Sequence, residues 1–144
     1  AGDAVTPAAE SARYPVIFGD MPAPTLRVYP RYTVVAEKLE AIISLGMANS
    51  RMKDYFDLWV ILRDNQLDQD ILVQAIEATL HRRGTRKPPG VPIGLSAQFS
   101  SDRQKLTQWA AFINRNQLTA ASLEKTVQDL RTALMFLFQE TQGD

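Results

Sequence analysis

The chain has 144 residues, 45% hydrophobic and 22% charged, which suits one globular domain with a sizeable core. Its 16 basic and 16 acidic residues cancel, so no overall field draws it toward nucleic acid or an anionic membrane. It has no cysteine and one histidine, His81, which excludes disulfides and cysteine-based metal centres and argues against zinc.

The opening Ala-Gly-Asp-Ala-Val-Thr-Pro lacks the basic start and continuous apolar stretch of a signal peptide. It also lacks an initiator methionine, so a processed chain or an internal fragment is expected. No apolar run approaches the roughly 18 residues of a membrane span, and a cytoplasmic location with no membrane partner is expected. Residues 1–13 are small and polar and read as loop. Residues 14–18 and 25–29 read as two short strands around the turn Met21-Pro22-Ala23-Pro24. Two strands are too few for an independent sheet, so they belong to the edge of a larger one or lean on the helices. Pro30 suits a helix start.

From there the pattern is helical. A first helix is expected over 31–45, stopped by Gly46. A second is expected from a cap at Asn49 or Ser50 through about residue 62. Asp68 can cap a third over 69–82, ended by Gly84, with Ile71, Leu72, Ala75, Ile76, Thr79 and Leu80 on its stripe. Residues 84–94 hold three prolines and three glycines and read as loop. A fourth helix is expected over 102–114, with Leu106, Trp109, Ala110 and Ile113 inward. Thr119 can cap the last, whose core face is Leu123, Val127, Leu130, Leu134 and Leu137. The fold class is therefore mainly α: a bundle of about five helices, preceded by one or two short β-strands. The division falls near residue 30, with 31–144 as the helical domain.

The chemistry concentrates in the first two helices. At about 100° per residue, Lys38 falls at the centre of a stripe made by Val34, Val35, Ala41, Ile42 and Leu45. A lysine there packs its stem and reaches for solvent or a carboxylate, or else it binds an anion such as phosphate. Asp54 leads the apolar stripe of the second helix, and Asp57 lies about 60° to one side. Asp54 helps cap the helix N-terminus with Asp57 solvated, or the carboxylate orients Lys38 across a short antiparallel connection or helps hold a nucleotide and its metal. Arg51 and Lys53 flank the pair. They form local ion pairs with Asp54, Asp57 or Glu37, or they contact phosphate. His81, Arg82, Arg83, Arg86 and Lys87 make a second basic group, read as a solvated helix end before an RNA contact. Trp59, Phe56, Trp109, Phe112, Phe136 and Phe138 read as core or interface. No phosphate-cradling glycine loop, Ser/His/Asp set or metal-binding histidine pair is present. Asp68-Gln69-Asp70 has the spacing of a metal pair, but it lies at a helix start where capping explains it.

Tyr29-Pro30, then Thr33-Val34-Val35-Ala36-Glu37-Lys38-Leu39-Glu40-Ala41-Ile42, then Asn49-Ser50-Arg51-Met52-Lys53-Asp54-Tyr55-Phe56-Asp57-Leu58 resemble the AbiEii-type nucleotidyltransferases. These are toxins of abortive-infection, type IV toxin–antitoxin systems. The specific match covers about residues 14–62. The resemblance implies a nucleotidyltransferase core with a Gly-Gly-Ser/Thr loop and an Asp-x-Asp pair, followed by a helical part that supplies a lysine and an aspartate. Carried over, the lysine is Lys38 and the aspartate Asp54, with Asp57 second. Arg51 and Lys53, with Lys38, become the nucleotide-contacting cations. The resemblance also implies a nucleoside triphosphate and Mg2+ in the full-length parent, with tRNA or another acceptor, and a cognate antitoxin as partner. Residues 1–30 become a remnant of, or a linker from, the core. The glycine loop and the Asp-x-Asp are absent from this sequence. The isolated chain is therefore expected to bind no metal or nucleotide, to be inactive, and to self-associate through the face the core would cover. The alternative is a non-catalytic helical module that binds a partner such as an antitoxin, with Lys38–Asp54 a structural ion pair. Burial separates the two: an open concave face in the first case, a sealed or fully solvated pair in the second.

Overall fold

The computed structural model describes residues 30–138, so both expected strands lie outside the described residues. Seven α-helices are seen there: α1 (Pro30–Leu45), α2 (Met52–Asp64), α3 (Gln69–Arg83), α4 (Ala97–Ser100), α5 (Arg103–Arg115), α6 (Leu123–Ala133) and α7 (Met135–Phe138). Single 3-10 turns at Gly46–Ala48 and Ile93–Leu95 punctuate them. The mainly helical class holds, and the five expected helices are the five longest.

Local chemistry explains several boundaries. Asp68 Oδ1 accepts from the Ile71 amide at 3.1 Å and starts α3. At its other end Gly84 takes a left-handed φ of 69°, its amide returning to His81 O while that of Thr85 returns to Leu80 O. This paired closure of the last carbonyls needs a residue without a Cβ penalty. Asp102 and Ser122 cap α5 and α6 in the same way as Asp68.

One core joins all of these pieces. Val35, Leu39 and Ile42 of α1 meet Tyr55 and Leu58 of α2, Leu72, Ile76 and Leu80 of α3, and Leu123, Val127 and Leu130 of α6. The helix α1 runs along α3 on one side and α2 on the other, and α2 packs on α6. The expected core face of the last helix is buried, as are Leu72, Ile76, Thr79 and Leu80 of the α3 stripe with Ile71 and Ala75 half-buried beside them, and the six aromatic residues named above are core or packed against it. The turn at Ile93–Leu95 closes tightly over this core. A Cβ on Gly94 would lie 2.8 Å from both Ile42 Cγ2 and Ile42 O, so only glycine fits there. The Tyr55 hydroxyl donates to Gly94 O at 2.8 Å, and its ring stacks on Phe99 at 5.0 Å. Burial, and then the charge of Asp54, push the Tyr55 phenol well above its ordinary pKa.

Four expectations need correction. On α1, Val34 and Leu45 are both 38% exposed, and the buried face instead holds Val35, Ala36, Leu39, Glu40, Ala41 and Ile42. Lys38 therefore flanks the core face and does not centre it. On α5, Trp109 is buried as expected, but Leu106 and Ala110 face outward and Lys105 is buried in their place. The last helix starts at Leu123 from Ser122, because Gln117 takes a positive φ of 52° and the chain stays irregular until Ser122. It is also interrupted at Leu134 before α7. Neither Asn49 nor Ser50 caps α2: Arg51 precedes it without a side-chain cap, and Asn49 Oδ1 accepts from the Arg51 amide at 2.7 Å.

Two outcomes test this packing. Leu39→Ala, at a fully buried site, should lower unfolding free energy by about 2–5 kcal/mol, while Leu106→Ala should change it by under about 0.5 kcal/mol, both read from urea titrations. The Trp59 indole donates to Asp129 Oδ2 at 3.0 Å and links α2 to α6. That bond, and then one from Lys125, hold the Asp129 carboxyl below its ordinary pKa. A depressed folded-state value means that the contribution is complete above the unfolded value of about 3.9 and is lost as pH falls through the folded one. Asp129→Asn should therefore flatten the acid limb of a stability–pH profile monitored by tryptophan fluorescence.

Candidate functional site

Lys38 leaves α1 on the side that faces the start of α2. The connection between the helices is short, residues 46–51, so α2 turns back beside α1 and brings its first turn to Lys38. Lys38 Nζ donates to Asp54 Oδ1 at 3.1 Å and lies 3.4 Å from Asp57 Oδ2. Both expected carboxylates thus reach the expected lysine. Their surroundings differ: the Asp54 side chain is 7% exposed and that of Asp57 is 25%. Lys53, on the outer side of α2, hydrogen-bonds Asp57. Arg51 Nε stands 3.1 Å from Asp54 Oδ2. The approach is not aligned as a hydrogen bond, and that buried oxygen has no hydrogen-bond donor. Asp54 is therefore compensated in charge by two cations but satisfied in hydrogen bonding on one oxygen only.

The group opens onto a cleft of about 320 Å³, lined by Thr33, Val34, Glu37, Lys38, Glu40 and Ala41 of α1, with Arg51, Asp54 and Arg83. That is the low end of the size range for small-molecule sites. Lys38 is the inner cation, its side chain 20% exposed, and Arg51 and Arg83 stand on the rims at 61% and 52%. Among the residues expected to contact nucleotide, Lys38 and Arg51 line the cleft. Lys53 does not: it reaches only the outer edge through Asp57.

Sequence reading missed the far wall. Glu37, a candidate partner for Arg51 by sequence, pairs with Arg82 and with Arg83, the latter at 2.8 Å. Glu40, 7% exposed, accepts from the Thr85 hydroxyl at 2.6 Å and lies 3.9 Å from Arg83. Part of the second basic group is therefore spent in anchoring α3 to α1. The available signal was Glu37 and Glu40 at i,i+3 on one helix and a run of arginines at the end of another. Helical spacing alone does not decide which partner each takes.

The geometry separates the two carboxylates by their cost. Lys38→Ala leaves Asp54 buried with only Arg51 beside it and should lower unfolding free energy by about 1–3 kcal/mol in urea titrations. Asp57→Asn, at a wetter site, should cost under about 1 kcal/mol in the same assay.

Among the described residues no helix is long and apolar enough to cross a membrane, and no cluster of histidine, cysteine or carboxylates could hold a metal ion. The chain has no significant match among curated proteins or solved structures. The family model of the nucleotidyl transferase AbiEii toxins of type IV toxin–antitoxin systems matches residues 1–135, nearly the whole sequence, and the chain belongs to that family.

Proposed function

We infer that residues 31–144 form the helical part of a nucleotidyltransferase toxin, and that Lys38 and Asp54 complete its nucleoside triphosphate site. The observation that supports this best is the placement of the pair: Lys38 and Asp54 line an open cleft. A purely structural ion pair, as the interaction-module alternative requires, would be sealed or fully solvated. This one is half-closed, with a buried carboxylate holding a cation at the cleft wall.

The residues suit a polyphosphate. Phosphoryl and nucleotidyl transfer depend mainly on positioning and on stabilising charge spread over phosphate oxygens. Lys38 offers three donors on a flexible stem, and Asp54 and Asp57 fix where its ammonium stands. Arg51, with most of its side chain exposed, can turn its planar fork to a second phosphate. The role of Asp54 is to orient Lys38 and Arg51 and to keep both charged heads at the cleft.

The same residues do not suit a divalent metal, because the described part holds no adequate ligand cluster. The family's magnesium therefore has no adequate ligand set among the described residues, and no step here runs through it. An antitoxin is the partner class that a type IV toxin–antitoxin family suggests.

Nucleotide transfer by the intact protein that carries this chain provides the test. Lys38→Ala should lower it by about a hundredfold or more, with far-ultraviolet circular dichroism unchanged. Transfer at the wild-type rate in a folded Lys38→Ala protein would sink this reading.

A further inference from the structure

Lys105, on α5, is 3% exposed and has no carboxylate in ion-pair range among the described residues. Its ammonium donates to the main-chain carbonyl of Asn49 at 2.8 Å and lies 5.3 Å from the centre of the Phe99 ring. A buried cation with a carbonyl and an aromatic face in place of a counter-ion is an expensive choice. A methionine of similar length would fill the same space without the desolvation cost. Packing alone therefore does not account for the ammonium.

What the ammonium holds is the connection that delivers the site. Asn49 is fully buried and is gripped at three points. Its amide donates to Gly46 O at 3.1 Å, its carbonyl accepts from Lys105, and its side-chain oxygen accepts from the Arg51 amide at 2.7 Å. Two residues on, Arg51 faces Asp54, and the Asp54 amide closes on Arg51 O at 3.0 Å. An unbroken series of contacts thus runs from Lys105 through Asn49 to Arg51 and Asp54, the wall of the cleft opposite Arg83. α2 begins without a side-chain cap, so this grip is what fixes its entry.

We propose that Lys105 is a positioning residue for the nucleotide site: by holding the Asn49 carbonyl it fixes Arg51 at the cleft. The proposal rests on the reading of the cleft given above. Stability and function then pull in opposite directions at this residue, because the charge costs folding free energy and orders a loop that the site needs.

Lys105→Met, Arg51→Ala and the double variant, made in the intact protein, test it through nucleotide-transfer kinetics and thermal unfolding. Lys105→Met should keep or raise the melting temperature while lowering kcat/KM at least about tenfold, mainly through KM for the nucleotide. In the Arg51→Ala background the same change should have little further effect, because the group it positions is gone. Unchanged kinetics in Lys105→Met would overturn the proposal. So would a multiplicative loss in the double variant, or a loss that tracks a falling melting temperature. Should Lys105→Met fold poorly, Lys105→Gln retains a donor without the charge. Amide exchange at Arg51 then reads the grip directly, and wild-type protection there with impaired kinetics would also overturn it. Lys38→Ala keeps the two levels apart: full activity in that variant removes the nucleotide site itself, whereas full activity in Lys105→Met alone removes only the positioning role.

Discussion

Asp54 is 5% exposed, and its two oxygens face two different cations: Lys38 from α1 on one side, Arg51 from the residue just before α2 on the other. A carboxylate so placed would be costly if either cation left, because the remaining charge could not be hydrated. The first turn of α2 adds the favourable end of a helix dipole. The relative position of α1 and α2 is thus constrained twice, by the apolar contacts of Leu39, Ile42, Tyr55 and Leu58 and by this charge. Adjacent residues divide the work. Asp54 turns to the cleft, while Tyr55 turns to the core and holds the Ile93–Leu95 turn through Gly94. A shift that improved one contact would pull on the other.

This explains why the lysine and the aspartate were legible in the sequence while the face of α1 was not. The connection between α1 and α2 is short, so antiparallel neighbours were the natural geometry and the partners of Lys38 followed from helical spacing. The apolar residues of α1 nearly encircle it. Val34, Val35, Ala41, Ile42 and Leu45 form one plausible stripe, and Val35, Ala36, Leu39 and Ile42 form another. The second is buried because α3 supplies a long apolar stripe to meet it, and because Ala36 and Ala41 allow close approach on both flanks. The polar grip between these helices joins Glu37 and Glu40 to residues about 45 positions away, beyond the reach of local pattern.

Elsewhere the reading failed where backbone needs outweighed side-chain hydrophobicity. On α5 an apolar residue, Leu106, gave way to its neighbour Lys105. The Asn49 carbonyl lies in a connection that no helix ladder serves, and a buried acceptor needs a donor. The observed rotation of α5 satisfies it and also buries Trp109, one turn on, its indole reaching Ala121 O. The start of α6 is similar. Thr119 and Ser122 are both competent caps, and the positive φ at Gln117 leaves Ser122 as the one at the helix start. In the first place a main-chain carbonyl with no partner in its own segment decided the outcome, in the second a backbone conformation did, and sequence periodicity registers neither.

Lys38 and Lys105 act on one short stretch of chain from opposite sides. Lys38 meets it at Asp54, with two carboxylates and an opening to solvent; Lys105 meets it at Asn49, with a carbonyl, an aromatic ring and no opening. The first arrangement leaves an ammonium able to exchange a carboxylate for a phosphate, since its partners remain after it turns. The second leaves nothing to exchange, and its value lies in not moving. Connections between helices are ordinarily the least fixed parts of a fold. A site built partly on such a connection needs a rigid support behind it, and a buried donor on a well-packed helix supplies one that solvent does not compete for.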